Sequence, residues 1–334
     1  MEMTPATFDA RRLSVAPMMD WTDRHCRYFH RQMSACVMLY TEMVTATAVV
    51  RGDRDRLLAY DPEEHPVALQ LGGSDPAELA EAARIGAKFG YDEINLNVGC
   101  PSDRVQSGAF GAVLMKSPDV VAACVTAMQD AAPTVPVTVK CRIGVDDQDP
   151  EAVLPAFLQK LRGAGVSDVT IHARLAWLEA LSPKQNRDIP PLNYPLVKAM
   201  KTAFPDMAIR INGGISNLEQ ARDFLAGGLD GVMIGRAAYH DPANILIGAD
   251  RKIFGQSGAN VTAEDAVLRM LPYIEKECAG GTRLSTITRH MLGVFSGRPG
   301  ARMWRRHLSE NAHKNGAGPE VVVAALGHVT AEAA

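Results

Sequence analysis

A (β/α)8 TIM barrel followed by a small C-terminal all-α helical domain is the fold class that this sequence predicts. Three observations carry the prediction. Eight short apolar, β-branched runs each precede a helical pattern. Together they fill about 240 residues, the length and rhythm of such a barrel. Beyond residue 245 the strand signal ceases and only helical periodicity continues.

In order, the runs are LSVAPMM (13–19), CVMLYTEM (36–43), PVALQLGG (66–73), EINLNVG (93–99), VPVTVKCRIG (135–144), DVTIHAR (168–174), AIRINGG (208–214) and DGVMIGRA (230–237). They are nearly continuously apolar, as strands of a covered parallel sheet are expected to be. Helix starts stand between them. Asp75-Pro76-x-Glu78 and Ser216-x-x-Glu219 both read as capping boxes, the first with proline at the opening helical position. A doubly wound open sheet also alternates strand and helix, but with fewer strands. The remainder (AEDAVLRMLPYIEKECAG, LSTITRHMLGVFSG, GARMWRRHLSENAHKN and PEVVVAALGHVTAEAA) predicts four helices separated by Gly and Pro. The expected division is therefore 1–245 and 246–334.

The chain has 334 residues, 47% of them hydrophobic and 22% charged, the composition of an ordinary globular protein. No run approaches the ~18 apolar residues of a membrane span, and the N-terminus lacks the features of a secretory signal. A cytoplasmic protein is expected. Six cysteines at 26, 36, 100, 124, 141 and 278 show no C-x-x-C pair and no zinc spacing, so reduced thiols and no metal site are expected. No long apolar edge or heptad suggests dimerisation, so the expected form is a monomer. The net charge of −3 argues against a uniformly basic nucleic-acid binder. A local basic stretch exists: from Ala279 to Ser309 no acidic residue occurs, while Arg283, Arg289, Arg298, Arg302, Arg305 and Arg306 all fall inside. A solvated helix face is the plain alternative. Trp304, between two of these arginines, reads as core.

Chemistry in such a barrel sits at the carboxyl ends of the strands. Those ends carry Met18, Glu42, Gln70, Asn97 with Cys100, Lys140 with Arg142, His172 with Arg174, Asn212-Gly213-Gly214, and Gly235-Arg236. Singly, each could be a satisfied structural group. Their convergence on one rim is the signal, because polar groups on apolar strands are costly to bury without partners. Gly213 and Gly214 stand before a capped helix, with Gly235 and Arg236 next door, which suits a phosphate group. Lys140 has two readings: a Schiff-base nucleophile, or a fixed charge beside a flavin ring. Spacing alone does not decide between them. No G-x-G-x-x-G follows any strand, so a pyridine nucleotide would have to visit the same cleft.

Taken together, VAPMMDWTDRHCRYFHR, LQLGG, INLNVGCPSDRVQSGAFGA, VTVKCRIGVDD, IHARLAWLEALSPKQNRDIPPLNY, INGGI and GVMIGRAAYHDP resemble the tRNA-dihydrouridine synthases over about residues 12–312. Within that family the match is to the type that modifies positions 20 and 20a of the D-loop. The resemblance implies an FMN-binding barrel and a helical domain that grips tRNA, with NADPH as electron donor. It implies FMN contacts from Pro17, Met18, Met19, Gln70, Lys140, His172, Asn212, Gly213, Gly214, Gly235 and Arg236. It makes Cys100 the proton donor and Asn97 a contact of the target uridine, and gives Lys184, Arg187, Arg302 and Arg305 to the tRNA. Reducing the uracil C5–C6 bond needs a hydride at C6 and a proton at C5. An ordinary thiol, with a pKa of about 8.5, is mostly protonated near neutrality and can act as the acid unaided. The expected reaction is thus flavin-dependent uridine reduction in tRNA. The alternatives are a flavin barrel that reduces a small pyrimidine-like substrate, a Lys140 Schiff-base lyase, and an RNA-binding module with a dead barrel.

Overall fold

The computed structural model describes residues 9–102, 110–179 and 181–330. Eight parallel strands close on themselves in sequence order, β1 pairing with both β2 and β8. They are β1 (Leu13–Val15), β2 (Met38–Thr45), β3 (Val67–Gly72), β4 (Glu93–Val98), β5 (Val137–Arg142), β6 (Asp168–His172), β7 (Ala208–Asn212) and β8 (Gly231–Ile234). Every predicted strand is present. All lie inside their predicted bounds except β2, which runs two residues further across a register shift between Tyr40 and Met43.

One expectation needs revising. The strands are not apolar on both faces but alternate with period two. Ile94, Leu96, Val98, Val137, Val139 and Cys141 join the main core beneath the helices. Between them stand Glu93, Asn95, Asn97, Thr138, Lys140 and Arg142, bonded to one another or to polar groups on neighbouring elements. The barrel interior is thus largely polar, with one small apolar layer of Ala16, Met38, Tyr40, Ala68 and Met233.

Its floor is ionic. Arg210 on β7 donates to Asp168 on β6 at 2.8 and 2.9 Å and to Asp9 at 2.8 Å, and Arg11 reaches Asp168 at 3.0 Å. Glu93 is enclosed here. Burial, with Asp168 nearby, pushes its carboxyl up to about 6. Enclosing charge costs several kcal/mol per ion unless partners compensate; Arg210 and Arg11 do so for Asp168, whereas Glu93 Oε2 has no hydrogen-bond partner among the described residues.

The helices follow local signals. Asp75 caps helix Pro76–Phe89, accepting from the Glu78 N–H at 2.8 Å, and Gly90 ends it at φ +93°. Helix Leu218–Ala226 is capped one residue later than expected, by Asn217. Ser216 is instead tied by its N–H to the Gln220 side chain at 2.9 Å, because asparagine accepts from the helix N–H groups as well as serine does. The C-terminal region holds Ala263–Ala279, Leu284–Thr288, Ala301–Asn311 and Pro319–Thr330. The second is only five residues long and gives way to turns up to Gly300, where glycines at 293, 297 and 300 interrupt it. Among the described residues no helix is long and apolar enough to cross a membrane.

This region docks beside the carboxyl end of β1. Arg24 pairs with Glu277, the His25 Nδ1 meets the Tyr273 hydroxyl at 2.7 Å, and Tyr28 stacks on Tyr273 at 3.9 Å. His290 Nε2 meets Asp23 at 2.9 Å, and its Nδ1 meets the hydroxyl of Tyr239 at 3.2 Å. Trp304 is fully buried and donates to the Met291 carbonyl at 3.2 Å, a core residue as expected.

Burial drives His25 down to about 4 and His30 down to about 3, so both are neutral in the fold. Unfolded, each takes up a proton near pH 6.5. Their folded values being depressed, their stabilisation is present above that pH and is lost as pH falls through it. The urea midpoint is expected to fall between about pH 7 and pH 5, above the main carboxylate range. A His25→Phe/His30→Leu variant should show a shallower fall. An unchanged slope would remove these two histidines as the cause.

Candidate active site

Register sets the level of each side chain at the barrel mouth. Asn97 pairs with Lys140 across β4 and β5, Arg142 with His172 across β5 and β6, and His172 with Asn212 across β6 and β7. Interior-facing polar residues from four consecutive strands therefore meet at one end. Gln70 on β3 completes the arc, 1% exposed and accepting from Asn97 Nδ2 at 2.8 Å.

Cys100 lies just beyond β4, partly exposed at the mouth. Its backbone N–H and that of Gly99 both donate to the Asn97 Oδ1, at 2.9 and 3.0 Å, and its Sγ stands 3.4 Å from the Ser102 hydroxyl. Arg142 Nε holds the same loop by the Gly99 carbonyl at 3.0 Å while its Nη1 reaches the carbonyls of Leu175 and Asn186. Residues 103–109, DRVQSGA of the resemblance motif, lie outside the described residues.

Lys140 Nζ donates to Asn212 Oδ1 at 3.1 Å, and the Asn212 amide donates to the Met233 carbonyl at 2.8 Å. Burial, reinforced by Arg142, pushes the Lys140 ammonium down to about 8. His172 is driven well below its ordinary value by burial and then by Arg142, Lys140, Arg174 and Arg236. It is neutral near pH 7, with a hydrogen to give on one nitrogen and a lone pair on the other.

The two glycines after β7 are required by close approach. Gly213 has φ +112° and a Cβ there would fall 2.5 Å from the His172 ring. Gly214 has φ +71° and its Cβ would meet Leu192 at 2.5 Å. Met18 sits against Gly235, whose Cβ would lie 3.5 Å from the Met18 sulfur, bringing the loops after β1 and β8 together. Pro17 precedes it, half-buried, and Met19 is exposed. Thr22 closes this turn, its hydroxyl accepting from the Met18 N–H at 2.9 Å.

Arg236 pairs with Asp188 at 2.8 Å. Arg187, on the short helix Gln185–Asp188, is exposed and is pushed down by burial and then by Arg236. Lys184 caps the same turn and is exposed. Arg302 and Arg305 project from helix Ala301–Asn311, exposed and without a carboxylate partner among the described residues. Arg298 and Arg306 are paired, with Glu264 and Glu310. The barrel-mouth set is thus brought together, and the basic-helix pair stands apart on the C-terminal region.

Two groups were under-read from the sequence. Arg174 bonds the Asp188 carbonyl at 3.2 Å, yet its Nε is buried without a hydrogen-bond partner among the described residues. Such a donor lacks an acceptor, and a ligand oxygen would supply one. Asn95 and Thr138 lie inside the barrel level with Gln70, in strands that the sequence presents as nearly continuously apolar. Only the alternation of their strands hints at an interior role.

The donor set suits a ligand that carries an anionic group. Lys140, the neutral His172 and the amides of Gln70 and Asn212 stand at the carboxyl ends of neighbouring strands, with Gly213 packed against His172 and the Arg174 Nε unpaired among the described residues. Nothing in it forms the three-carboxylate or thiolate grouping that binds a metal among the described residues.

The dihydrouridine synthase (Dus) family matches residues 14–330. The chain is 57% identical over 319 residues to the tRNA-dihydrouridine(20/20a) synthase of Vibrio cholerae, covering 95% of this chain and 96% of that one. It is 58% identical over 316 residues to the Escherichia coli protein of that name, covering 94% and 90%. An old yellow enzyme homologue from Zymomonas mobilis superposes with a TM-score of 0.53 at 12% identity, over 76% of this chain and 92% of that one, which marks a shared fold.

Accessibility separates the six thiols. Cys26, Cys36, Cys124 and Cys141 are buried, with their thiols pushed up by burial, while Cys100 and Cys278 are partly exposed. Under native conditions iodoacetamide is expected to modify Cys100 and Cys278 before any other, as read by peptide mass mapping. Early modification of Cys141 would contradict the strand register given for β5.

Proposed function

The chain belongs to the dihydrouridine synthase family, and on that premise we propose that it reduces the C5–C6 double bond of uridines 20 and 20a in the D-loop of tRNA. The observation that carries the reading is Cys100, held by Asn97 at the mouth of a barrel whose rim offers Lys140, His172 and a glycine cradle. FMN is the cofactor of this reading and NADPH its electron donor. Bound flavin, once reduced, supplies the hydride that C6 of the base receives.

The chain's own residues do the rest. Gln70, Lys140, His172 and Asn212 hold and orient the flavin ring, with Pro17, Met18 and Met19 as an apolar platform. Lys140 lays positive charge beside the ring, which favours its anionic reduced form. Gly213, Gly214, Gly235 and Arg236 receive the phosphate. Asn97 meets the base, and the Cys100 thiol gives its proton to C5 and recovers one from solvent. A Lys140 Schiff-base lyase is disfavoured because the dihydrouridine synthase family matches residues 14–330.

A uridine in a folded tRNA must be extruded to reach the mouth, at a cost of a few kcal/mol. Residues 246–334 form the tRNA-gripping part of the reading. Arg302 and Arg305 contact phosphate there, and Lys184 and Arg187 do so at the barrel rim. The enzyme acts as a cytoplasmic monomer. A small pyrimidine-like substrate is the weaker reading, since it leaves the unpaired arginines of helix Ala301–Asn311 without a role.

Three results test this. Anaerobic, NADPH-bleached enzyme should recover its oxidised flavin spectrum rapidly with tRNA lacking dihydrouridine and not with fully modified tRNA; indifference to tRNA would favour the small-substrate reading. Cys100→Ala should keep flavin binding and NADPH reduction while slowing the tRNA step by about a hundredfold or more, the range of general acid catalysis. Native-rate reoxidation by Cys100→Ala would exclude the thiol as the acid. Arg302→Ala or Arg305→Ala should weaken tRNA binding and lower the slope of log affinity against log salt by about one per phosphate contact, whereas an unchanged slope would exclude phosphate contact there.

A further inference from the structure

A continuous run of side-chain hydrogen bonds crosses the barrel interior from its ionic floor to the Cys100 loop. The Thr138 hydroxyl meets Glu93 Oε1 at 2.6 Å, and Asn95 Nδ2 meets Thr138 Oγ1 at 2.7 Å. Gln70 Nε2 meets Asn95 Oδ1 at 2.8 Å, and Asn97 Nδ2 meets Gln70 Oε1 at 2.8 Å. The run ends where Asn97 Oδ1 accepts the N–H groups of Gly99 and Cys100. Asn95, Gln70, Thr138 and Glu93 are all at least 97% buried, so water does not substitute for any link.

Each end independently fixes the direction of the run. An ionised carboxylate only accepts, so Thr138 must spend its single hydroxyl hydrogen on Glu93 and can only accept from Asn95. That turns the Asn95 carbonyl toward Gln70, the Gln70 carbonyl toward Asn97, and the Asn97 carbonyl toward the loop. At the other end, backbone N–H groups only donate, so they too demand the Asn97 oxygen. The two demands agree. The Tyr40 hydroxyl also donates to Glu93 Oε1, at 2.5 Å, leaving that oxygen no need of a hydrogen.

We propose that Thr138 and Asn95 are positioning residues for the Cys100 loop: anchored on Glu93, they set the amide orientation of Gln70 and Asn97 and so hold the Cys100 backbone in place. Both side chains bond only to other members of the run among the described residues. A set of bonds that merely satisfied buried polar groups would tolerate reversal of any amide. This one does not, because a single reversal leaves two donors or two acceptors face to face at the next link. The consequence for proton delivery by Cys100 rests on the uridine-reducing function proposed above; the placement of the loop does not.

Thr138→Val removes the hydroxyl at nearly constant volume, Thr138→Ser restores it, and Asn95→Leu breaks the next link. In the flavin-loaded holoenzyme, N-ethylmaleimide modification of Cys100 is followed by peptide mass mapping, with Cys278 as internal reference. We expect Thr138→Val to change the Cys100/Cys278 rate ratio severalfold and Thr138→Ser to return it to the wild-type value. At saturating tRNA, the maximal rate of flavin reoxidation should fall about tenfold in Thr138→Val, the equivalent of one buried hydrogen bond. The half-saturating tRNA concentration, set mainly by phosphate contacts away from this network, should stay near the wild-type value. If Thr138→Val does not fold, Asn95→Leu is read the same way. A Cys100/Cys278 ratio and reoxidation rate equal to wild type in a folded variant would overturn the proposal. A wild-type enzyme that ignores tRNA would overturn the function instead, and the thiol ratio would still decide the positioning.

Discussion

Everything at the mouth of this barrel depends on the requirement that polar groups inside it be paired. Glu93, Asn95, Gln70, Asn97 and Thr138 are all buried, and each would cost on the order of 1–3 kcal/mol if left without a partner. Paired as they are, the three amides, the Thr138 hydroxyl and Glu93 Oε1 form a framework with one permitted arrangement of donors and acceptors. The framework ends on the backbone of Cys100 at one side and on Glu93 at the other, whose Oε2 lies 4.0 Å from Arg11 Nη1 of the ionic floor. The floor ions thus do more than neutralise one another. They supply a fixed acceptor from which the orientation of each amide above follows.

Charge at the mouth has the opposite sign to that of the protein as a whole. The chain carries −3, yet Lys140, Arg142, Arg174 and Arg236 all act on His172. Burial, and after it the neighbouring cations, keeps that imidazole neutral and draws the Lys140 ammonium down toward neutrality. Burial raises the worth of every charge interaction, so a ligand with an anionic group meets an attraction that the net charge conceals. Asp188 is the carboxylate paired with this rim cluster, through Arg236.

The helical C-terminal region is joined to the rim through the segment after β1. Asp23 serves three partners there: it accepts from the N–H groups of His25 and Cys26 and meets His290 at 2.9 Å. Burial raises its carboxyl, but the hydrogen bond and charge of His290, the Cys26 N–H and the His25 charge together outweigh burial and lower it. The same turn holds Met18, packed against Gly235, and Arg289 bonds the Asp20 carbonyl. A shift of the helical region would therefore be felt at two of the eight loops around the mouth.

By itself the sequence determined the eight strands, their order, the helical remainder and most of the residues that gather at the mouth, because apolar runs and their turn signals are local properties of the chain. Lys140, His172 and the two glycines of β7 were legible as polar or conformationally special groups at the ends of apolar runs. The paired interior was not. Thr138 and Asn95 are ordinary strand residues until closure of the barrel sets Gln70 level with Asn95 and Asn97 level with Lys140. Likewise the unpaired Nε of Arg174 and the neutrality of His172 exist only once strands far apart in the chain bring their side chains within a few ångströms. Which donor meets which acceptor is a matter of register between strands, and register is decided by closure of the whole sheet.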